Sequence, residues 1–283
     1  MRWRGREGST NIEDRRRMGG GRAGPVGGLL ALVIVLLGLF FGVDVTPLLE
    51  GQGGAGGEIA GSQPLSPQDE AAAQFVSVAL KDTETVWSDI FASELGRRYS
   101  PAVLVLFKGA TASACGGASA QTGPFYCPVD KKVYLDTDFF ATLQRELGAG
   151  GDFAAAYVVA HEIGHHVQDE LGILEKVNAV RARSSEAQSN ALSVRVELQA
   201  DCLAGVWARH AAEKLGTLEQ GDIAEAMNAA SRIGDDTLQR NAGRRPMPDS
   251  FTHGTSEQRQ RWFAEGYRAG ALSACDTFGT DAP

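Results

Sequence analysis

Apolar residues recur at helical spacing through most of the chain beyond residue 65, and two of these stretches are long and well bounded. The first begins after Gly151, where Asp152 can cap a helix. Phe153, Ala154, Ala155, Ala156, Tyr157, Val158, Val159 and Ala160 carry it forward, and Gly172 can end it. The second opens on a capping box of Ser185 and Gln188 and runs to about His210, with Leu192, Val196, Ala200, Leu203 and Trp207 on its apolar stripe. Earlier, Ser66 and Pro67 read as the N-cap and first position of a helix through about Lys81, followed by a second amphipathic piece containing Val86, Trp87 and Phe91. Residues 103–107 and 132–135 read as short strands. The pattern predicts an α+β fold, mostly helical with one small sheet, and shows no internal repeat.

The N-terminus has a different texture. No charged residue lies between Arg22 and Asp44, and residues 26–43 are continuously apolar or glycine, long enough to cross a hydrocarbon core. Residues 1–22 hold seven arginines against Glu7, Glu13 and Asp14, so this segment carries 7 − 3 = +4 and the rest of the chain −8 − 4 = −12. The positive-inside rule then keeps the N-terminus in the cytoplasm and sends the rest to the periplasmic or extracellular side. The expected organisation is a basic cytoplasmic segment at 1–22, a single transmembrane helix at 23–47, a Gly-rich linker at 48–66 and one catalytic domain at 67–283. A cleaved signal peptide is the alternative. The apolar stretch exceeds a usual signal core, and no small-x-small site follows promptly. The linker glycines are not a phosphate loop, because no Gly-Lys-Ser/Thr follows. An acidic exported domain is also a poor candidate for binding nucleic acid. Four cysteines fit export: Cys115 and Cys127 bracket a Gly-rich segment, leaving Cys202 for Cys275, although three connectivities are formally possible.

The chemistry is concentrated in residues 161–166, His-Glu-Ile-Gly-His-His, which hold three of the chain's five histidines. At i and i+4 of one helix, His161 and His165 stand about 40° apart around the axis and about 6 Å along it, so both can ligate one metal ion. Glu162 lies beside them, placed to take a proton from a water at the metal. His166 is rotated about 100° from His165, too far to share that ion, and reads as a flanking or supporting residue. A catalytic zinc keeps three protein ligands and an open position, so a third donor must come from elsewhere. In Glu-Leu-Gln-Ala-Asp-Cys, residues 197–202, Glu197 can be that donor, and Asp201 one turn on can accept the free ring N–H of a ligating histidine. Two carboxylates on an otherwise apolar face are costly unless a cation meets them.

Four blocks taken together resemble a known family. Tyr-Val-Val-Ala-His-Glu-Ile-Gly-His-His-Val-Gln (157–168), the downstream Glu-Leu-Gln-Ala-Asp-Cys, Gly-Pro-Phe-Tyr-Cys-Pro-Val-Asp (123–130) and Thr-His-Gly-Thr-Ser-Glu-Gln-Arg (252–259) look like the neutral zinc metallopeptidases of bacteria. That family is similar to the gluzincins. The resemblance implies His161, His165 and Glu197 as zinc ligands, Glu162 as general base and Asp201 as the partner of His161. It also implies a zincin-like domain whose edge strand beside the active-site helix pairs with an extended substrate, a role it gives to 133–135. Finally, it places His253 near the site as an oxyanion stabiliser oriented by Arg259, with Tyr157 and Tyr267 as competitors for that role.

The expected function is therefore a membrane-anchored, Zn2+-dependent metallopeptidase acting on a peptide or protein. A non-catalytic, zinc-stabilised binding or chaperone module of the cell envelope is the alternative. Glu162 argues against it, since a structural zinc site usually closes with four ligands and needs no base. A serine hydrolase is excluded by the lack of any Gly-x-Ser-x-Gly.

Overall fold

The computed structural model describes residues 1–17, 65–119, 122–145 and 147–283. In chain order these form β1 (Ile12–Asp14), α1 (Pro67–Leu95), β2 (Val103–Phe107), β3 (Ala110–Ser113), β4 (Gly116–Ser119), β5 (Phe125–Cys127) and β6 (Lys132–Asp136). Then follow α2 (Phe139–Arg145), α3 (Asp152–Glu170), α4 (Ile173–Arg181), α5 (Glu186–His210), α6 (Asp222–Arg232), α7 (Asp235–Asn241) and α8 (Ser256–Ala269). The α+β expectation holds. The expected transmembrane helix at 23–47, and all of the linker but its last two residues, lie outside the described residues; among the described residues no helix is long and apolar enough to cross a membrane.

Helix α1 corrects the reading of two separate pieces. Ser66 and Asp69 form the capping box at its start, and the helix then runs unbroken for 29 residues to Gly96. The polar run Asp82-Thr83-Glu84 interrupts the apolar pattern, yet all three residues are buried. The N-terminal segment covers them. Arg6 pairs with Asp82, while Ser9 Oγ and Asn11 Nδ2 donate to Glu84 Oε1, the latter at 2.7 Å. Trp3 packs edge-on against Phe75 of the same helix, and the α-amino group of Met1 lies among Asp152, Asp222 and Glu219. Residues 1–17 thus pack against α1 and reach the start of α3 at Asp152.

The main sheet runs β1-β2-β6-β5, with β1, β2 and β6 parallel and β5 antiparallel to β6. A two-stranded ribbon of β3 and β4 stands beside it. Strand β6 is internal, which corrects the assignment of 133–135 to the substrate-facing edge; beside α3 that edge is β5. Both expected disulfides are present, Cys115–Cys127 and Cys202–Cys275. The first ties β5 to the ribbon. Tyr126 in β5 donates to Asp169 Oδ2 at 2.9 Å, so β5 is also fastened to the end of α3.

Helix α3 is buried over most of its length between α1, α5 and α6. Its N-cap is Gly151, not Asp152, and the exposed amide of Phe153 is satisfied from a distance by Glu225 Oε2 at 3.0 Å. Leu171 ends the helix one residue before Gly172, which adopts a left-handed conformation. Helices α5 and α8 approach closely because glycines face each other's backbone. A methyl group on Gly205 would sit 2.1 Å from the Phe263 carbonyl, and one on Gly266 would sit 1.9 Å from the Cys202 carbonyl.

Candidate metal centre

Gly164, between the paired histidines, faces α5 at Ala200; a methyl group there would stand 3.0 Å from the Ala200 carbonyl. This contact sets α3 against α5 with Glu197 opposite both rings. Glu197 Oε2 lies 3.1 Å from His161 Nε2, and Oε1 lies 3.4 Å from His165 Nε2. One donor atom from each of the three residues falls within 4.8 Å of the others. Two imidazoles and a carboxylate converging on one point suit zinc's preference for nitrogen and oxygen donors, and three protein donors leave a position open.

The far nitrogens of both rings are fixed. His161 Nδ1 meets Asp201 Oδ1 at 2.9 Å, and His165 Nδ1 meets the side-chain oxygen of Gln168 at 2.8 Å. Each acceptor holds the Nδ1–H tautomer and turns Nε2 toward Glu197, as outer partners of ligating histidines do. Asp201 is fully buried and also accepts from Tyr157 and from two guanidinium nitrogens of Arg259, at 2.8 and 3.0 Å. Burial alone would raise its pKa, but Arg259 and His161 bring it down to about 2. Gln168 donates in turn to the Val196 carbonyl (2.7 Å) and to Gln199 (3.0 Å), and Gln199 donates to the carbonyl of disulfide-bonded Cys275.

The electrostatics of the cluster favour a cation. Burial opposes charge on the His161 ring, yet Asp201 and Glu197 outweigh it and lift its pKa to about 10. His165 is raised in the same sense, against its burial, chiefly by Glu197. Glu197 itself is held well below the usual carboxylate range, because the two rings overcome its desolvation.

These groups open onto a cavity of about 660 Å³. Glu162 lines it beside the histidines, as does the β5 strand through Phe125 and Tyr126. Half-exposed His253 lines it too, but its partner differs from the expectation: Nδ1 faces Asp235 at 3.4 Å, and Asp235 Oδ2 accepts the His253 amide at 2.6 Å. The Asp235 contact raises the His253 pKa against partial burial. Arg259 does not orient His253; it is spent on Asp201. Tyr157 is fully buried with its hydroxyl on Asp201, and Tyr267 is not among the cavity residues. His166 points away, bonding the Ser100 carbonyl at 2.7 Å and Tyr126, so it braces β5 against α3. Gln168 and Asp235 were missed in the sequence. Gln168 carried a usable signal, standing three residues after His165 on the same helix face; Asp235 carried none.

Fold and donor set define a helical α+β protein with an HExxH-type candidate metal centre completed by a Glu from a later helix. The chain belongs to the putative neutral zinc metallopeptidase family, whose model matches residues 1–278. It is 46% identical over 288 residues to the uncharacterized protein YpfJ of Escherichia coli K12, covering 99% of both chains. It is 39% identical over 250 residues to the uncharacterized proteins Mb2605 of Mycobacterium bovis and Rv2575 of Mycobacterium tuberculosis H37Rv, covering 78% of this chain and 82% of each relative. No solved structure matches the chain.

Proposed function

We propose that this protein is a zinc-dependent peptidase and that His161, His165 and Glu197 hold the metal. One observation carries the reading: the three donors converge at the wall of a peptide-sized cavity that Glu162 also lines. A zinc ion held by these three residues would supply Lewis acidity toward a carbonyl and a water. Glu162 takes the proton of the attacking water and passes it to the leaving amine nitrogen. Asp201 and Gln168 keep the two rings oriented throughout. Strand β5, with one side free of a strand partner among the described residues, offers main-chain groups to an extended peptide laid along the cavity. His253, whose pKa the Asp235 contact raises, stabilises the negative charge that develops on the attacked carbonyl oxygen. An open cavity beside the three donors supports catalysis over a closed structural site.

The test is Glu162→Gln in the full chain, with zinc content measured alongside cleavage of an unfolded protein. Zinc should stay at the wild-type level while the rate falls by about 10²–10⁴-fold, the span usual for loss of an acid–base group. A variant that cleaves as fast as wild type would end the proposed mechanism. Loss of zinc from the variant would reassign Glu162 to metal binding.

A further inference from the structure

The N-terminal residues carry a constraint on topology. Strand β1 pairs in parallel with β2 in the register Ile12 to Leu104, Glu13 to Val105 and Asp14 to Leu106. The pairing continues on both sides of the strand: the Leu104 amide donates to Asn11, the Arg15 amide to Leu106, and the Ser9 amide to Ser77 on α1. Gly8 lies so close to α1 that a methyl group on it would meet Ser77 Oγ at 1.9 Å.

Three of the seven arginines that set the charge asymmetry are engaged within this packing. Arg6 pairs with Asp82, and Arg15 with Glu13. Arg16 is buried, bonding Asp14, Glu70 and the Asp69 carbonyl. Glu13 in turn accepts from Lys132 of β6 at 2.6 Å. For these three arginines the packing supplies a folding role, so the arginine count of residues 1–22 is not a signal of topology alone. The same segment also pairs Arg6 with Asp82 and supplies two donors to Glu84 beside the Lys81 of α1.

We infer that residues 1–17 and the catalytic domain lie on the same side of any membrane the chain meets, so that the uncharged stretch 23–43 does not separate them. Paired strands sit about 4.8 Å apart, whereas a hydrocarbon core is about 30 Å thick. No strand of the catalytic sheet can lie across it. Returning to the starting side takes two crossings of about 20 helical residues each, and the uncharged stretch has 21 residues in all. Two shorter β crossings would leave main-chain groups unpaired in lipid.

The experiment uses the full chain in cells. Thr10→Cys and Glu7→Cys report on the N-terminal segment, and Val129→Cys on the domain; all three positions are exposed. The native cysteines give no background, since none among the described residues is free. Each variant is treated with a membrane-impermeant maleimide in intact spheroplasts and again after lysis. The inference expects one behaviour for all three, either labelling in intact cells or labelling only after lysis. If Val129→Cys labels in intact cells while Thr10→Cys and Glu7→Cys label only after lysis, the inference is overturned and the chain crosses once. Agreement between the two N-terminal positions guards against a local disturbance at either one.

Discussion

Replacing Arg259 with Met removes the charge that meets Asp201 while keeping most of the side-chain volume. The pair is almost fully enclosed, at 3% exposure for Arg259 and 0% for Asp201, and is bound through two parallel hydrogen bonds. Removing one partner of a buried pair typically costs about 3–5 kcal/mol, because the other charge is left desolvated. His161 and Tyr157 still donate to Asp201, so the expected loss lies at the lower end, about 3 kcal/mol. Against a total stability of about 5–15 kcal/mol for a typical domain, that is a large shift in a urea transition followed by tryptophan fluorescence under chelator. Arg259→Lys should recover only part of it, since an ammonium cannot reproduce the two-pronged contact. A double-mutant cycle with Asp201→Asn separates the pair from the packing change. A loss below about 1 kcal/mol in Arg259→Met, or strict additivity in the cycle, would show that Asp201 does not depend on Arg259.

Three further outcomes follow from the same geometry. Gln168→Leu removes the acceptor at His165 Nδ1 and should weaken zinc affinity by about 10–100-fold in competition with a chromophoric chelator; unchanged affinity would remove Gln168 from the support of the site. Gly266→Ala places a methyl group 1.9 Å from the Cys202 carbonyl and should lower stability by about 1–3 kcal/mol or more as α5 and α8 separate; an unaltered melting temperature would contradict the close approach. Asp69, 8% exposed, is raised by burial but brought down overall to about 2 by Lys108 and Ser66. Its stabilisation, about 2 kcal/mol, is therefore complete above its ordinary value of 3.8 and lost as pH falls through 2. Asp69→Asn should be weaker than wild type by about that amount at neutral pH, with the gap closing toward pH 2 in urea titrations; a gap independent of pH would mean the charge is not responsible.

The parts of the fold that could be read from the sequence were those whose evidence is local. Helices α3 and α5 announce themselves through apolar periodicity, and α5 through its Ser185–Gln188 box, which the structure contains. The placement of His161, His165 and Glu197 needed only helix geometry and a family resemblance. Strands β1 and β5 were invisible because three residues are too few to show alternation. The break assigned within α1 arose because Asp82 and Glu84 look like a solvated face, and nothing near them in sequence shows that residues 6–11 cover them. The partner of Arg259, and with it that of His253, was misassigned for a related reason. Arg259 stands 58 residues from Asp201, and among several polar residues on α8 only tertiary packing selects the one that turns inward.

The charge of the cluster links its architecture to its proposed cofactor. Among the groups that touch the two rings, Glu197 and Asp201 contribute −2 and Arg259 contributes +1, which leaves −1. In the metal-free chain the two carboxylates raise the pKa of both rings against their burial, favouring positive charge where the three donors meet. A divalent ion held by the same two rings would answer the same negative charge, so protons and metal compete for one place and metal binding releases protons. Asp201 without Arg259 would tip both states toward negative charge and bind the protons and the metal more tightly. The buried guanidinium thus moderates the pull of the two carboxylates while it fixes the orientation of the one behind His161.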